Sequence, residues 1–246
     1  MSCVTVAILG AGAALHPGRN QSSILVDYGG SVALIDVGCS SVNIALRLGY
    51  RPGDIDAAIL THSHYDHLCG LPMLSFAKSF SPGPRRLMIA GEGGAVEAAT
   101  YLARQPSRGR VEFAVKPLSP GDTLELAGGL VIKPFAASHT VPALSYEVEA
   151  GGVRVVVSGD TRPTSEFRSR SSGSALAIHE ATLPSSSAED AEATGHSTVS
   201  QAISQLSGAE AAVLYHLTPE SEREALSAQA QGRILVPTEP LTIKIC

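Results

Sequence analysis

Tryptophan is missing altogether, and aromatic residues as a class supply only 4% of the chain. A core without large rings has to be filled by Val, Leu, Ile and Ala. The 44% of hydrophobic residues over 246 positions is enough to build one. Charge is sparse as well: charged residues make up 17%, the net charge is −5, and no block of lysine or arginine occurs. Proteins that grip nucleic acid along its backbone carry a basic stripe, so this deficit argues against a long RNA partner. The four cysteines, Cys3, Cys39, Cys69 and Cys246, form no CxxC pair and suggest neither a disulfide framework nor a cysteine zinc knuckle. No stretch reaches the roughly 18 apolar residues of a membrane helix, and no basic segment precedes the first short apolar run. The expectation is a soluble, cytoplasmic protein without a membrane partner.

What is present is a series of short apolar runs punctuated by 24 glycines. Residues 4–9, 23–26, 32–37, 57–60 and 87–90 read as strands bounded by Gly, Pro, Asp or Ser. Residues 43–48 and 95–104 read as helices. The theme then repeats, with strands over 111–118, 123–126, 131–135, 144–149, 153–158, 175–179 and 211–215. Residues 198–206 make a helix, because Val199, Ala202, Ile203 and Leu206 fall at i, i+3, i+4 and i+7. Ser197 is placed to cap it, and 220–229 forms a last surface helix. The serine-rich patches at 169–174 and 185–187 read as loops. Strands in groups with helices between them imply an α/β protein: two sheets packed face to face, covered outside by helices. One domain over 1–246, in two αβ halves of roughly 1–110 and 111–246, accommodates this.

The segment THSHYDH, residues 61–67, places His62, His64, Asp66 and His67 directly after an apolar strand. Strand ends at a sheet rim are where reactive groups gather. In extended chain His62 and His64 face the same way, since side chains alternate with period two. Asp66 and His67 follow after the chain turns. Two histidines on one side and an Asp-His pair on the other suit two adjacent metal ions. Imidazole and carboxylate together favour zinc, with manganese or iron as alternatives. Further ligand types stand at the ends of other strands: His139 after 131–137, Asp160 in VVVSGDTR, and His216 after AAVLY. Competing motifs fail. HEATL has Leu183 where the zinc-helix motif needs its second histidine, SFAK at 75–78 has no partner motifs, and GAGAAL lacks the third glycine of a dinucleotide loop.

These residues resemble the metallo-β-lactamase superfamily and, within it, the tRNase Z (ribonuclease Z) branch. LGAGAALHPGRNQSS resembles the opening strand and Arg-Asn loop of that branch, and LIDVG carries its acidic residue, Asp36. THSHYDHLCGLP matches the signature loop, SGDTR the bridging-aspartate motif, and HEAT with GHST the pair special to tRNase Z-like proteins. The motifs span nearly the whole chain in the expected order. The resemblance implies a four-layer αββα sandwich holding two divalent ions, Zn2+ first and Mn2+ or Fe2+ as alternatives. One ion would take His62, His64 and His139, the other Asp66, His67 and His216, with Asp160 bridging and Asp36 orienting a ligand histidine.

The same resemblance implies hydrolysis by hydroxide bridging the two ions. Asp66 would orient or deprotonate the water, and Glu180 with His196 would act as general acid. His179 is expected to be structural, and His16 either to line the pocket or to lie exposed. Three departures point away from tRNA maturation. Only twenty residues separate His139 from Asp160, which leaves no room for the tRNA-gripping arm. HPGRN lacks a usual lysine, and LTPES follows His216 in place of an Arg-Tyr pair. The leading expectation is a phosphodiesterase acting on a small molecule, a nucleotide or cyclic phosphodiester. The alternatives are a thioester, lactone or ester hydrolase of a biosynthetic pathway, a tRNA 3′-end endonuclease, and a metal-binding protein without catalysis. Family analogy also admits a homodimer.

Overall fold

The computed structural model describes residues 3–230, 232 and 234–246. The chain first lays down β1 (Val4–Gly10), β2 (Ser23–Tyr28), β3 (Ser31–Ile35), α1 (Ser41–Arg47) and β4 (Ala57–Leu60). Next come α2 (Leu71–Phe80), β5 (Arg86–Gly91), α3 (Gly93–Ser107) and β6 (Glu112–Pro117). The second series is β7 (Leu124–Glu125), β8 (Val131–Ala136), β9 (Leu144–Ala150), β10 (Val153–Val157), α4 (Ser165–Ser171) and β11 (Leu176–Glu180). It closes with α5 (Ala188–Thr194), α6 (Val199–Leu206), β12 (Ala212–Tyr215), α7 (Pro219–Gln229), β13 (Ile234–Leu235) and β14 (Leu241–Ile245).

Two seven-stranded sheets result, ordered β14-β1-β2-β3-β4-β5-β6 and β13-β12-β11-β10-β9-β8-β7. Both are mixed in the same way. From β14 to β3, and from β7 to β10, neighbours run antiparallel; from β3 to β6, and from β10 to β13, they run parallel. The first sheet includes β6, which lies beyond residue 110, and β14 from the far end of the chain.

Period-two alternation sorts the apolar side chains into layers. In β4, Ala57 and Ile59 face the second sheet while Ala58 and Leu60 face outward. In β12, Val213 and Tyr215 face inward and Leu214 outward. The central layer between the sheets therefore needs no tryptophan; Val, Ile and Leu interdigitate there with Tyr146 and Tyr215 as the large pieces. Outside the first sheet, α1, α2 and α3 contribute Ile44, Leu74 and Ala99. Outside the second, α4, α6 and α7 contribute Phe167, Val199 and Ala225. This is the four-layer αββα sandwich. Among the described residues no helix is long and apolar enough to cross a membrane.

Several local expectations need correction. Helix α2 lies where no element is expected; its Pro72 is at home in a first helical turn, where a missing N–H has no partner anyway. It carries the SFAK segment, whose Ser75 donates to the Ala103 carbonyl and whose Lys78 donates to three carbonyls, so neither is free for catalysis. The patch at 169–174 is helical through Ser171. Thr198, not Ser197, caps α6 in a capping box with Gln201, and Ser197 instead donates to the Thr161 carbonyl.

The cysteines also contradict their reading: Cys3 is bonded to Cys246 and Cys39 to Cys69. Local spacing could not show this. Sheet pairing sets Val4 opposite Ile245, which brings their neighbours Cys3 and Cys246 together. Backbone bonds between the loops after β3 and β4, Val37 N to His67 O at 2.7 Å and Gly70 N to Val37 O at 2.8 Å, do the same for Cys39 and Cys69. Protein unfolded without reductant should accordingly show almost no titratable thiol. Replacing Cys3 and Cys246 by serine should lower stability by about 5 kcal/mol on the chain-entropy account of a loop this long. Four free thiols before reduction would contradict the pairing.

Candidate metal centre

Parallel pairing delivers the polar groups to one place. β3 and β4 run side by side, so Asp36 and Thr61 leave the first sheet at the same edge. β10, β11 and β12 do the same for Asp160, Glu180 and His216 in the second sheet. The two edges are tied together: the Leu144 amide donates to the Thr61 carbonyl, and the Ala13 amide to the Leu217 carbonyl, both at 2.9 Å. Beyond β4 the chain bends at Thr61 and Ser63, is extended at His64, and then makes a single 3-10 turn over Tyr65–His67. That turn swings Asp66 and His67 away from the direction of His62 and His64. Asp36 and His216 both sit at positive φ, 56° and 54°, a conformation that costs a non-glycine residue of order 1 kcal/mol or more and collects at functional sites.

The seven residues singled out for metal binding converge. His62, His64, His139 and Asp160 each bring one donor atom within 4.8 Å of the others, and so do Asp66, His67 and His216. Asp160 Oδ2 lies 3.7 Å from His62 Nε2, 3.4 Å from His67 Nε2 and 3.4 Å from His216 Nε2. Asp66 Oδ2 is 3.5 Å from His67 Nε2 and 3.4 Å from His216 Nε2. His139 Nε2 is 3.2 Å from His64 Nδ1. A tetrahedral ion with bonds of ~2.0–2.1 Å keeps its donor atoms about 3.3–3.4 Å apart. The pocket therefore has the spacing of a coordination shell.

Its unspent atoms point the same way. His62 Nε2, His67 Nε2 and Asp160 Oδ1 are buried with no hydrogen-bond partner, a costly arrangement in a dry interior. The opposite nitrogens are all engaged: His62 Nδ1 with Thr61 Oγ1 at 2.9 Å, His67 Nδ1 with Asp36 Oδ2 at 2.7 Å, and His216 Nδ1 with Thr182 Oγ1 at 2.8 Å. His139 Nδ1 donates to the Gly195 carbonyl at 2.7 Å. Gly195 has φ +80°, and a Cβ there would come within 2.8 Å of His139 Nδ1, so only glycine lets that carbonyl approach. Such partners fix which ring nitrogen is offered to a cation.

Burial, and then the neighbouring His67, holds His62 well below the usual histidine range; burial also lowers His64 and His139. These three are neutral imidazoles with lone pairs to give. For His67 burial works against the charge, but Asp160 and Asp36 beside it win and lift it well above that range. A cation entering the pocket displaces that proton. Burial would raise the Asp160 carboxyl, yet His216 and His67 hold it well below the usual carboxylate range.

Glu180 and His196 meet beside the cluster. His196 Nδ1 lies 2.9 Å from Glu180 Oε1 and 4.0 Å from Asp160 Oδ2. Burial opposes the imidazolium, but the bond to Glu180 lifts His196 to about 9. Glu180 also accepts from the Thr161 and Thr182 amides, each at 3.0 Å. The two remaining histidines stay apart. His179 is buried against Phe167 with Nδ1 on the Glu180 carbonyl, and His16 pairs with Glu222 at 3.0 Å. Two residues escaped sequence reasoning: Thr61 and Thr182, each lodged between a carboxylate and a histidine. Both stand inside motifs already quoted, THSHYDH and HEAT, but a threonine carries no chemistry that spacing reveals.

Known proteins share this fold. The chain is 27% identical over 262 residues to the ribonuclease Z of Methanopyrus kandleri, spanning 91% of this chain and 90% of that one. The metallo-beta-lactamase fold protein YhfI from Bacillus subtilis superposes with a TM-score of 0.85 at 22% identity, over 99% of this chain and 100% of that. The short form of human tRNase Z superposes with a TM-score of 0.80 at 24% identity, over 98% and 99%. The sequence pattern of the metallo-beta-lactamase superfamily matches residues 16–216. The chain belongs to the metallo-β-lactamase superfamily, and it is one of that family's metal-dependent hydrolases.

Proposed function

We propose that the protein is a binuclear metal-dependent phosphodiesterase acting on a small nucleotide or cyclic phosphodiester. In this reading two divalent cations, Zn2+ first among them, are held by His62, His64 and His139 and by Asp66, His67 and His216, with Asp160 shared. When bound, they supply an activated water at neutral pH and neutralise charge on the ester oxygens. Asp66 sits between His67 and His216 and is placed to orient the attacking water.

The observation that carries the reading is the Glu180–His196 pair. A buried carboxylate keeps an imidazolium charged beside the metal ligands, which is what protonation of a departing alkoxide requires. Thioester hydrolysis, which releases a thiolate, makes less use of such an acid.

A small substrate is supported by the charges around the mouth. Arg19 is taken up by Glu222 and the Pro237 carbonyl, and Arg162 by Glu192, so neither is open to a polyanion. Asn20 of the same loop is bound to Glu239. Arg85, Arg86, Arg104, Arg108 and Arg110 gather where β5 and β6 begin, at the sheet edge opposite the site. Between His139 and Asp160 stands only the β9–β10 hairpin, in place of an arm. Tyr65, next to Asp66, is 65% exposed and offers a stacking face for a base.

Four outcomes follow. Purified protein loaded with zinc should hold about two ions per chain and cleave bis-(p-nitrophenyl) phosphate in preference to thioester and lactone panels, activity vanishing with chelator. The reverse preference would overturn the phosphodiester assignment. Substituting alanine for His196 should cost ~10²–10⁴-fold on diesters with poor leaving groups and little on nitrophenyl esters; equal losses on both would remove the acid role. The acid form of His196 is complete below its raised pKa and is lost on alkalisation. Turnover of poor leaving groups should therefore decline as pH rises through a value at or below about 9, since bound cations work against the imidazolium, and His196→Ala should flatten that limb. Finally, Tyr65→Ala should raise KM roughly tenfold for a nucleotide diester and leave kcat on a nucleoside-free chromogenic diester unchanged; an identical effect on both would discard base stacking.

A further inference from the structure

We propose that Thr61 and Thr182 are positioning residues, each governing the ring state of one metal-ligating histidine and thereby metal retention at its own site alone. This rests on the metal assignment above and goes beyond it by giving each half of the centre a separate control.

A hydroxyl has one proton to donate and lone pairs to accept with. Thr61 Oγ1 lies 2.8 Å from Asp36 Oδ2, while the amide of the same residue donates to Asp36 Oδ1 at 2.9 Å. A carboxylate only accepts, so the hydroxyl proton is committed to Asp36. Toward His62 Nδ1, 2.9 Å away, the hydroxyl oxygen can then only accept. Nδ1 must carry the hydrogen, and Nε2, facing Asp160, keeps the lone pair.

The second sheet builds the same device from different residues. Thr182 Oγ1 lies 2.8 Å from Glu180 Oε2, and the Thr182 amide donates to that oxygen at 3.0 Å. Its proton is thus spent, and it accepts from His216 Nδ1 at 2.8 Å. His216 Nε2 is left with a lone pair 3.4 Å from both Asp66 Oδ2 and Asp160 Oδ2. In each device the carboxylate also holds a second histidine directly, His67 by Asp36 and His196 by Glu180. Asp36 and Glu180, Thr61 and Thr182 are all buried, so water cannot readily substitute for a missing hydroxyl.

Valine matches the shape of threonine and deletes only the hydroxyl. Each valine variant should leave a buried Nδ1–H without an acceptor, release the tautomer and weaken its own site 10–100-fold, the usual loss when a ligand's outer partner is removed. Serine restores the hydroxyl and should restore affinity.

To tell the sites apart, each variant is made in a background with one site disabled, and Zn2+ affinity is measured by competition with a chromophoric chelator. With His139→Ala, only the Asp66, His67 and His216 site remains; there T182V should weaken binding 10–100-fold and T61V less than about threefold. With His216→Ala the order should reverse. Circular dichroism melts confirm that each variant is folded, and T61S and T182S serve as rescues if a valine variant is not.

Equal weakening by both valines in both backgrounds would reduce the threonines to general packing and overturn the proposal. So would unchanged affinity throughout. Parent protein that binds no zinc would instead remove the metal assignment itself, a separate failure visible before any variant is made.

Discussion

The structure turns on one energetic problem: six histidines and two carboxylates, Asp66 and Asp160, are crowded where two sheet edges meet, with His62, His67, His216 and Asp160 buried and the rest half-buried. Polar atoms buried without partners cost free energy, and here three donor atoms have none within the protein. In His62, His67, His139, His196 and His216 the other ring nitrogen is satisfied by a carboxylate, a hydroxyl or a carbonyl. The protein has thus spent its hydrogen bonds on orienting the rings and left their inner faces to one another. On the proposed reading, cations would resolve the conflict by taking the lone pairs and offsetting the charge of Asp66 and Asp160 together.

The fold makes this crowding affordable. Matching sheets each end their parallel strands at the same rim, so residues more than a hundred positions apart, such as Asp66 and His216, come within 3.4 Å. The central apolar layer fixes the distance between the rims, and the Cys39–Cys69 bond ties the loop behind Asp36 to the loop behind His67. The positive φ at Asp36 and at His216 shows that local backbone preference yields to this arrangement. His196 shares the field of the cluster, but its Nδ1 is committed to Glu180, which on the proposed reading would separate a proton-holding role from the metal-holding one.

Much of this was legible in the sequence because polar groups that follow apolar strands announce themselves. An apolar run followed by His or Asp marks both the strand and the rim, and His62, His139, Asp160 and His216 all stand in that pattern. Other features were hidden for identifiable reasons. Cys3 and Cys246 lie 243 positions apart, and only antiparallel pairing of β1 with β14 shows that they are neighbours. Helix α2 carries Pro72 in its first turn, a residue that breaks a helix anywhere further along, so composition alone does not announce it. Ser197 and Thr198 are equally good caps on paper; the extended backbone of Thr198 and its exchange with Gln201 decide between them. Thr61 and Thr182 gained meaning only from the direction in which their single protons must point.

The central claim, that these side chains are a coordination shell and not a satisfied polar core, is tested most directly by anomalous diffraction at the zinc edge from crystals grown with the metal. The account predicts two peaks, one among His62, His64 and His139 and one among Asp66, His67 and His216, with Asp160 between them. A well-ordered cluster in the same crystals with no anomalous signal at either position would contradict it.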